Sequence, residues 1–534
     1  FRRVLFRSFD VIVIGLGPTG ATLAGLLGQR GLSVAVFDRL PGIYPLPRAI
    51  GLDHEAMRIV QELGLADAMK PHIADYRPSE YRGMDGELIK RLDTLPEPHR
   101  LSWQPNYVFD QPAFEKVLRK RLTDYSNVKV FLQADITDSG QDADHAWVDA
   151  KLANESEITR CTAQYIVACD GASSPTRKRL GIALEDLNFD EHWLVVDVIV
   201  SDEKLQELPQ TQVQYCEAQR PSTFVVGPGN HRRWEIMLLE GDSLSPDFPE
   251  NELWPLLSRW IKPGEGRLWR AAAYRFHGLI ANSWRCDRIF LAGDAAHMTP
   301  PFMAQGMVAG MRDAHNLAWK LARVIGKKSP DSLLDSYVAE RYPHVRQLIL
   351  KAMELGRIIC ERDNTKAIER DARLRQAHNG MIKTEYRQNM IPNLAHGLIA
   401  TETTFAGELF PQPFVQSGAF HGRLDDLIQS KICVVVSGTM ANADREAYIK
   451  LLEPLDGLLI HLEQGVCSDI LLAVTEDHSL IHTWLASQQK RVAVVRPDKY
   501  VYGTADTHSG AFDLLLKFQQ QLGIDSAIRT NRVV

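Results

Sequence analysis

Six residues near the start, Gly15-Leu16-Gly17-Pro18-Thr19-Gly20, have the glycine spacing of a turn that binds a phosphate group. They follow an apolar, β-branched run and open a segment with the apolar spacing of a helix. In such a turn Gly15 makes the tight bend, Gly17 lets the backbone approach a pyrophosphate, and Gly20 lets the helix pack on the sheet. Asp38 ends the next predicted strand, where a carboxylate can bind ribose hydroxyls. The segment predicts a βαβ unit that binds a dinucleotide, and a plain glycine-rich turn is the alternative.

Two later segments place a carboxylate at the end of a predicted strand. IVACDG contains Asp170, and FLAGDAAH contains Asp294 ahead of a proline-rich turn and the helix start Gln305-Gly306-Met307. A carboxylate at a strand end can hold the ribityl hydroxyls of a flavin, and N–H groups at a helix start can stabilise negative charge on the flavin ring. The glycine motif alone does not separate FAD from NAD, whereas these two segments favour FAD.

Around these motifs, the pattern of apolar residues predicts an α/β fold, α+β overall, with three kinds of unit. Residues 9–185 are predicted to form the first part of a Rossmann-like FAD-binding domain, and residues 281–400 its second part with a helical region. Alternating stretches between them predict an antiparallel substrate-binding sheet over residues 186–280. Residues 401–534 are predicted to form a C-terminal domain with a small core of its own, and short strands are predicted there at Ile432–Ser437, Leu458–Leu462, Ile470–Val474 and Val492–Arg496. In the first unit a helix is predicted over Gln111–Leu122, with Pro112 in its first turn. Phe1–Ser8 is basic and apolar, and we expect it to lie outside the fold.

The composition indicates a globular protein and argues against several other classes. Of 534 residues, 45% are hydrophobic and 24% are charged, and the formal net charge is -6. The sequence has no long run of basic residues, so it gives no reason to predict a nucleic-acid partner. No apolar stretch reaches the roughly 18 residues of a membrane span. Seven cysteines are scattered without a C-x-x-C pair, which argues against a disulfide framework and a metal site. The same pattern predicts a reducing, cytoplasmic location.

Several longer segments resemble one family. GLGPTG, the Asp-Gly pair and the GDAAH block resemble the class A flavoprotein aromatic hydroxylases. PRAIGLDHEAMRIVQELGL, FDQPAFEKVL, HWLVVDV, RRWEIMLLEG and VAVVRPDKYV are similar to one branch of that family, the 3-(3-hydroxyphenyl)propionate hydroxylases. The resemblance extends over nearly all of Phe9–Ala505. It implies a thioredoxin-like but redox-inactive C-terminal domain, which fits the lack of a C-x-x-C pair.

The resemblance also implies which residues bind FAD. From the ADP half of the cofactor to its isoalloxazine ring, these are Gly15, Gly17, Gly20 and Asp38, then Arg48, Gln111 and Asp294, and finally Pro301, Gly306 and Met307. Two positions depart from the family pattern. Asp38 stands where the family commonly has Glu, and Pro175 stands where a less rigid residue is usual.

The implied activity is that of an FAD-dependent monooxygenase that hydroxylates an aromatic ring. NADH or NADPH, with NADH favoured, would reduce the FAD, and O2 would then add to give a flavin C4a-hydroperoxide that the ring attacks. The implied substrate is a small phenolic acid such as 3-(3-hydroxyphenyl)propionate, hydroxylated ortho to its hydroxyl. We expect a homo-oligomer, a dimer, without a metal ion.

Three side chains are candidates for catalysis. Arg48 lies in a Pro-Arg-Ala segment, and a surface ion pair is its alternative role. His54 and Tyr274 are candidates for contact with the phenol oxygen, although a single His is usually structural and a Tyr in a sheet commonly packs. Arg312 and Asp313, on a predicted helix, are expected to be surface charges or cap partners.

Three other functions share some of these features. A flavin halogenase has similar glycine and Gly-Asp elements, but its W-x-W-x-I-P motif is absent. A hydroxylase of a polyketide or an N-heteroaromatic ring remains an alternative. The third is a non-catalytic flavoprotein whose C-terminal domain is an interaction module.

Overall fold

A computed structural model describes residues 7–153, 157–245, 247–377, 381–382, 384–465 and 467–524. An eight-stranded sheet forms the centre of the part that carries the glycine motif. Its strand Arg7–Ile14 lies between Val34–Asp38 and Ile158–Ala168 and runs parallel to both. Apart from Asp38, the residues at the carboxyl ends of these strands are apolar and buried, as in sheets that are covered on both faces. The eight strands are Arg7–Ile14, Val34–Asp38, Val128–Leu132, Ala134–Gln141, Ala146–Leu152, Ile158–Ala168, Arg285–Cys286 and Ile289–Leu291.

The first strand begins earlier than the sequence predicts. Arg7 pairs with Cys161 of the long strand Ile158–Ala168. The prediction that all of Phe1–Ser8 lies outside the fold is therefore wrong for its last two residues, because the partner strand is long enough to continue the pairing. Residues 1–6 lie outside the described part of the chain.

Three helices pack together beside this sheet. Pro18–Gln29 contacts both Gln111–Leu122 and Gly306–Ile325. The helix Gln111–Leu122 begins at the residue that the sequence predicts, because the Asp110 carboxylate accepts a hydrogen bond from the N–H of Ala113 at 3.1 Å. The other α-helices before the C-terminal domain are His54–Glu62, Ala66–Met69, Pro175–Arg179, Asp202–Glu207, Glu250–Leu257, Asp335–Ile359 and Asn364–Gln376. A small sheet joins Gly51–Asp53, Ile73–Asp75 and Asn106–Phe109.

The second large sheet has nine strands and is mostly antiparallel, as predicted. Its long strands Leu184–Val200 and Gly266–Ala281 pair with each other. Five of its strands come from the predicted unit 186–280 or its borders, whereas four come from residues before and after it. The sequence boundaries miss these four because their partners are distant in the chain. The nine strands are Ser79–Arg82, Leu88–Asp93, Leu184–Val200, Gln212–Tyr215, Ser222–Val226, His231–Met237, Gly266–Ala281, His297–Met298 and Thr384–Tyr386.

The C-terminal domain is built on a five-stranded mixed sheet. Its central strand Cys433–Val436 pairs parallel with Leu458–His461 and antiparallel with Val492–Val495. The thioredoxin-like assignment of this domain stays a prediction. Its further strands are Leu471–Ala473 and Val501–Ala505 in this sheet and Phe414–Ser417, Phe420–Arg423 and Thr475–Glu476 in a separate one, and its α-helices are Leu424–Ile428, Asn442–Leu452, Leu480–Ala486 and His508–Gln521.

A buried ion network joins this domain to the helices of the FAD-binding part. The Arg496 guanidinium donates to both carboxylate oxygens of Glu340, at 2.9 and 2.7 Å, and to Asp498 at 2.6 Å. Lys320 donates to the same Glu340 at 2.8 Å. All four side chains are at most 1% exposed. Charges buried this deeply persist only when each has partners, so this domain is docked on the helices through specific contacts.

Within the described residues, no helix is both long enough and apolar enough to cross a membrane.

Candidate active site

The glycine turn has the geometry of a pyrophosphate cradle. Gly15 has a φ of +97°, and a Cβ there would lie 2.3 Å from the carbonyl oxygen of Cys169, so the turn itself requires glycine. A Cβ on Gly17, by contrast, would meet no atom within 4 Å. No side chain caps the helix Pro18–Gln29. Open space in front of uncapped N–H groups fits a pyrophosphate.

Asp38 supports the turn from the next strand. Its carboxylate accepts hydrogen bonds from the N–H groups of Leu16 and Leu40, each at 2.8 Å. The nearest cation is Arg119, whose Nη2 lies 3.9 Å from the Asp38 carboxylate. Nε and Nη1 of Arg119 are buried and have no partner among the described residues. A polar group of the ADP half of FAD would satisfy these donors, so this end of the site also fits the cofactor.

A cavity of about 420 Å³ continues from the glycine turn to the nine-stranded sheet. Its walls bring together many of the predicted site residues, from distant parts of the chain. Those that line it are Gly17, Arg48, Gln111, Tyr274, Asp294, Pro301, Gly306 and Met307. The other three predicted residues of this region, Gly15, Gly20 and Asp38, do not line the cavity.

Gln111 positions Arg48 at this cavity. The Gln111 side-chain oxygen accepts hydrogen bonds from the N–H groups of Arg48, at 3.0 Å, and Ala49, at 2.5 Å. From the other side, the Arg233 guanidinium donates to the carbonyl of Arg48 at 2.8 Å. The Arg48 backbone is therefore fixed. Its exposed side chain has no carboxylate within salt-bridge distance among the described residues.

A buried ion pair holds the turn that carries Asp294. The Asp313 carboxylate accepts hydrogen bonds from Gly293 N–H at 3.0 Å, from His297 at 2.7 Å and from Arg341 at 2.9 Å. Asp313 is fully buried. Burial alone would raise the pKa of its carboxyl, but the His297 and Arg341 charges hold that pKa below its ordinary value. Its predicted place on the helix surface is wrong, because the helix Gly306–Ile325 is enclosed almost all round.

The neighbouring Arg312 is buried as well, which also corrects the sequence expectation. It donates to the Asp53 carboxylate at 2.5 Å, pairs with Glu55, and donates to Gln305 at 2.7 Å. Tyr500 of the C-terminal domain donates to the same Glu55 at 2.8 Å. The residue immediately before the Gly306 helix is thus connected to the C-terminal domain through three hydrogen bonds.

Asp170 lies two residues after the end of the strand Ile158–Ala168, at the strand end that the sequence predicts. One oxygen accepts a hydrogen bond from the N–H of Thr176 at 3.0 Å, at the start of the helix Pro175–Arg179. The other oxygen is buried and has no partner among the described residues. Gly171, next to it, lines the large cavity, whereas Asp170 itself does not. Its role toward the cofactor stays a prediction.

The strand His231–Met237 alternates between a core face and a site face. Trp234 and Ile236 point into an apolar cluster, so Arg233 and Glu235 point to the cavity side. Across the sheet, Arg233 is paired with Asp197, and Asp197 with Arg270. Arg233 donates to Asp197 at 2.7 Å. The two arginines of this row line the cavity, and the buried Asp197 lies between them.

A second, inner cavity of about 80 Å³ adjoins the large one. Ile50, Glu235, Pro301 and Ala304 line both. The remaining wall of the inner cavity is made of aromatic, aliphatic and uncharged polar side chains together with one cation, Arg387. The polar ones are Tyr76, Ser79, Asn106, Tyr107, Gln212, Gln214 and Thr223.

The two candidates for contact with a phenol lie outside the inner cavity. Tyr274 lines the large cavity, and its hydroxyl accepts a hydrogen bond from Arg270. His54 lines a third cavity of about 10 Å³. Burial lowers the pKa of His54 to about 4, so it is neutral at pH 7. Their proposed contact with the substrate stays a prediction.

Sequence reasoning missed Glu235 and Arg387, which line the inner cavity. Glu235 lies in RRWEIM, where a charged residue alternates with buried Trp and Ile, and this alternation was a signal that it faces a polar site. Arg387 belongs to a short 3-10 turn after the main helices, and no sequence pattern marks it.

The comparisons with known proteins agree with this geometry. Residues 8–352 match the family model of an FAD binding domain, and residues 407–517 match that of the HcaD C-terminal domain. A Rhodococcus jostii protein named "Probable NADH-specific resorcinol 4-hydroxylase" is 37% identical, with 93% of this chain and 92% of the relative covered. A Comamonas testosteroni 3-(3-hydroxy-phenyl)propionate/3-hydroxycinnamic acid hydroxylase is 30% identical, with 93% and 94% covered.

Two solved structures have the same fold. The flavin-dependent monooxygenase PieE, in complex with FAD and substrate, has a TM-score of 0.79 at 18% identity, with 97% of this chain and 99% of that chain covered. Aklavinone-11 hydroxylase with FAD and aklavinone has a TM-score of 0.77 at 19% identity, with 96% and 99% covered.

The fold and the matched FAD binding domain define a flavoprotein. The chain belongs to the FAD-dependent aromatic hydroxylases, the class A flavoprotein monooxygenases. The family membership confirms the predicted cofactor, FAD, and the predicted co-substrate, NAD(P)H. The reading as a non-catalytic flavoprotein is therefore excluded.

Proposed function

We propose that the enzyme hydroxylates a one-ring phenol with a second polar group meta to its hydroxyl, and that the new hydroxyl is added next to the existing one. The observation that carries the proposal is the inner cavity. Its volume of about 80 Å³ is the room of a single aromatic ring, and it opens to the large cavity at Glu235 and Pro301. A fused multi-ring substrate exceeds this space.

Two phenols of this kind are the candidates. Resorcinol and 3-(3-hydroxyphenyl)propionate are both meta-substituted phenols, and they stand in the names of two relatives. The small volume and the uncharged polar wall favour resorcinol. Arg387 favours the phenolic acid predicted from the sequence, because this guanidinium has no carboxylate partner among the described residues.

The proposal gives bound FAD and the residues around it separate roles. Bound FAD supplies electrons from NAD(P)H and activates O2, which no side chain can do. Gly17 and the helix start at Pro18 hold the pyrophosphate, Asp294 holds the ribityl chain, and Met307 packs against the ring. Phe302, in the turn that follows Pro301, packs edge-on against Trp193 and Phe276 of the sheet. This apolar contact keeps water from the inner cavity.

The test is turnover by the FAD-loaded enzyme with each phenol. We expect resorcinol or 3-(3-hydroxyphenyl)propionate to stimulate NADH oxidation and to yield a product with one more hydroxyl, identified by mass spectrometry and NMR. Parallel assays with NADPH compare the two nicotinamides. The proposal is overturned if neither phenol is hydroxylated while a polycyclic or N-heteroaromatic phenol is.

A further inference from the structure

Glu235 stands at the junction of the two cavities. It lines both, and its side chain accepts no hydrogen bond from any described residue. It is 8% exposed. Carboxylates this deeply buried usually have hydrogen-bond partners. A carboxylate that faces a cavity without such a partner needs a ligand to supply the donor.

The sheet register explains why Glu235 faces the cavities. On neighbouring strands it lies beside Thr223 and Val195, both of which line a cavity wall. The Thr223 hydroxyl donates to Gln214 at 2.6 Å, so its proton is already committed. Thr223 therefore does not donate to Glu235, and the carboxylate stays open on its cavity side.

Other titratable groups of the inner cavity are poorer proton acceptors. Tyr76 shares a hydrogen bond of 2.6 Å with Ser79, and the Tyr107 hydroxyl accepts from the N–H of Gln104 at 2.9 Å. Burial raises the pKa of Tyr107, so it stays neutral. Arg387 is a permanent cation. Among the described residues, Glu235 is the one carboxylate in the wall of the inner cavity.

The order of the cavities fixes the direction in which a substrate lies. Glu235 is shared with the large cavity, where the flavin ring is proposed to bind, whereas Arg387 does not line the large cavity and is shared with the third cavity instead. The carbon that reacts must face the flavin. Since the new hydroxyl is added beside the existing one, the existing hydroxyl also lies at this end, next to Glu235.

We propose that Glu235 is the catalytic residue that accepts the proton of the substrate's phenolic hydroxyl. The inference rests on the proposed function of the inner cavity. The phenol O–H bond breaks, a new O–H bond forms on a Glu235 carboxylate oxygen, and the electron pair stays on the phenol oxygen. The ring becomes more nucleophilic at the carbon beside that oxygen, which is the carbon that takes the new hydroxyl.

The charges around Glu235 suit this role. Burial raises the pKa of its carboxyl, which makes it a stronger base, while Arg233, at 3.9 Å, keeps the rise moderate. The other charged or titratable groups around it are Asp197 and Arg270 on the sheet, Tyr76, Tyr107 and Arg387 in the inner cavity, and Arg48, Cys169, Tyr274, Arg275, His277 and Asp294 in the large cavity.

Glu235→Gln removes the acceptor and preserves the shape. We expect the hydroxylation rate at pH 7 to fall by about 100-fold or more. The remaining rate should rise with pH toward the ordinary phenol pKa of about 10, because the substrate must then ionise by itself. FAD content should not change. Glu217→Gln, a carboxylate paired with Arg259 outside both cavities, is the matched control and should leave rate and pH profile as in the wild type.

A second measurement does not depend on turnover. 3-Nitrophenol changes its absorbance on ionisation, so its pKa can be titrated when it is bound to the FAD-loaded enzyme without NADH. If Glu235 contacts the hydroxyl, Glu235→Gln lowers the pKa of the bound nitrophenol, because a neighbouring negative charge is removed.

The two measurements separate the possible failures. An unchanged rate profile and an unchanged nitrophenol pKa in Glu235→Gln overturn the role of Glu235, even if the wild type hydroxylates resorcinol. A wild type that hydroxylates neither phenol overturns the proposed function, while a lowered nitrophenol pKa still supports the contact. If nitrophenol does not bind, the rate and pH profile of Glu235→Gln decide the role of Glu235, and turnover of the two phenols decides the proposed function.

Discussion

Arg387 is the cation in the wall of the inner cavity. Its guanidinium donates to the carbonyl of Met303 at 2.7 Å and to the Tyr76 hydroxyl at 3.3 Å. Its Nε is buried and has no partner among the described residues. An anionic group on the substrate would accept a hydrogen bond from this free Nε–H. A second hydroxyl on the substrate would form a weaker hydrogen bond there, because it carries no charge.

Arg387→Gln should therefore distinguish the two candidate phenols. A hydrogen bond to a charged group contributes about 1.5–3 kcal/mol, so we expect the KM for 3-(3-hydroxyphenyl)propionate to rise by about 10- to 100-fold. The KM for resorcinol should change by less than about threefold. Steady-state kinetics with both phenols measure this, and Arg373→Gln, on an exposed helix position, is the control. Equal effects on both phenols would contradict a role in anion binding.

At the scale of the element, the strand–turn–helix unit at Arg7–Gln29 has two kinds of glycine. Gly15 serves the protein itself, since its φ is positive and a Cβ would collide with Cys169. Gly17 serves only what binds in front of it, because a Cβ there contacts nothing within 4 Å. The two positions allow folding and cofactor binding to be tested separately.

Gly17→Ala should leave the thermal unfolding of the FAD-free protein unchanged within a degree or two, while the Kd for FAD rises about tenfold or more, because the methyl group occupies the pyrophosphate space. Gly15→Ala should lower the stability of the FAD-free protein itself. Thermal scans with and without FAD, together with fluorescence titration of FAD, measure both effects. A loss of FAD-free stability in Gly17→Ala would argue against this division.

The same elements show how far sequence reasoning extends. The glycine turn, the helix Gln111–Leu122 and the strands of the C-terminal sheet are predicted to within a few residues, because each depends on a local pattern of apolar, capping and turn residues. The inner cavity could not be predicted, because Glu235 and Arg387 in its wall are more than about 150 residues apart in the chain. Asp313 was assigned to the surface because a helix pattern does not show that neighbours cover every side.

At the scale of the whole molecule, the Arg496 network contributes to the stability of the docked C-terminal domain. Arg496→Met leaves the buried Glu340 with one cation, Lys320, among the described residues, and removing one partner of a buried ion pair commonly costs about 3–5 kcal/mol. We expect a clearly lower denaturant midpoint. Lys517→Met removes a cation of the same domain from its exposed pair with Glu402 and should cost less than about 1 kcal/mol. Equal midpoints for the two variants would contradict the importance of burial.

The network also predicts a dependence on acid. Burial alone would raise the pKa of Glu340, but the Arg496 and Lys320 charges outweigh burial and hold the pKa at about 2, against an ordinary 4.5. A carboxyl whose pKa is lowered by folding stabilises the protein above its unfolded pKa and loses this contribution as the pH falls from 4.5 toward 2. The stability advantage of wild type over Glu340→Gln should therefore shrink by about 1 kcal/mol between pH 7 and pH 3.5. Urea unfolding at both pH values measures it, and a constant difference would contradict the assignment.

Docking through shared charges has a practical consequence for anyone who wishes to dissect this enzyme. Arg496 comes from one side of the contact and Glu340 from the other, and each is fully buried. A gene fragment that ends near residue 400 would expose the pair of Glu340 and Lys320 on its new surface without Arg496, and a fragment that begins there would expose Arg496 and Asp498 without Glu340. Neither piece is a natural unit for expression, whereas the two pieces made together in one cell carry complementary surfaces and are suited to reassemble.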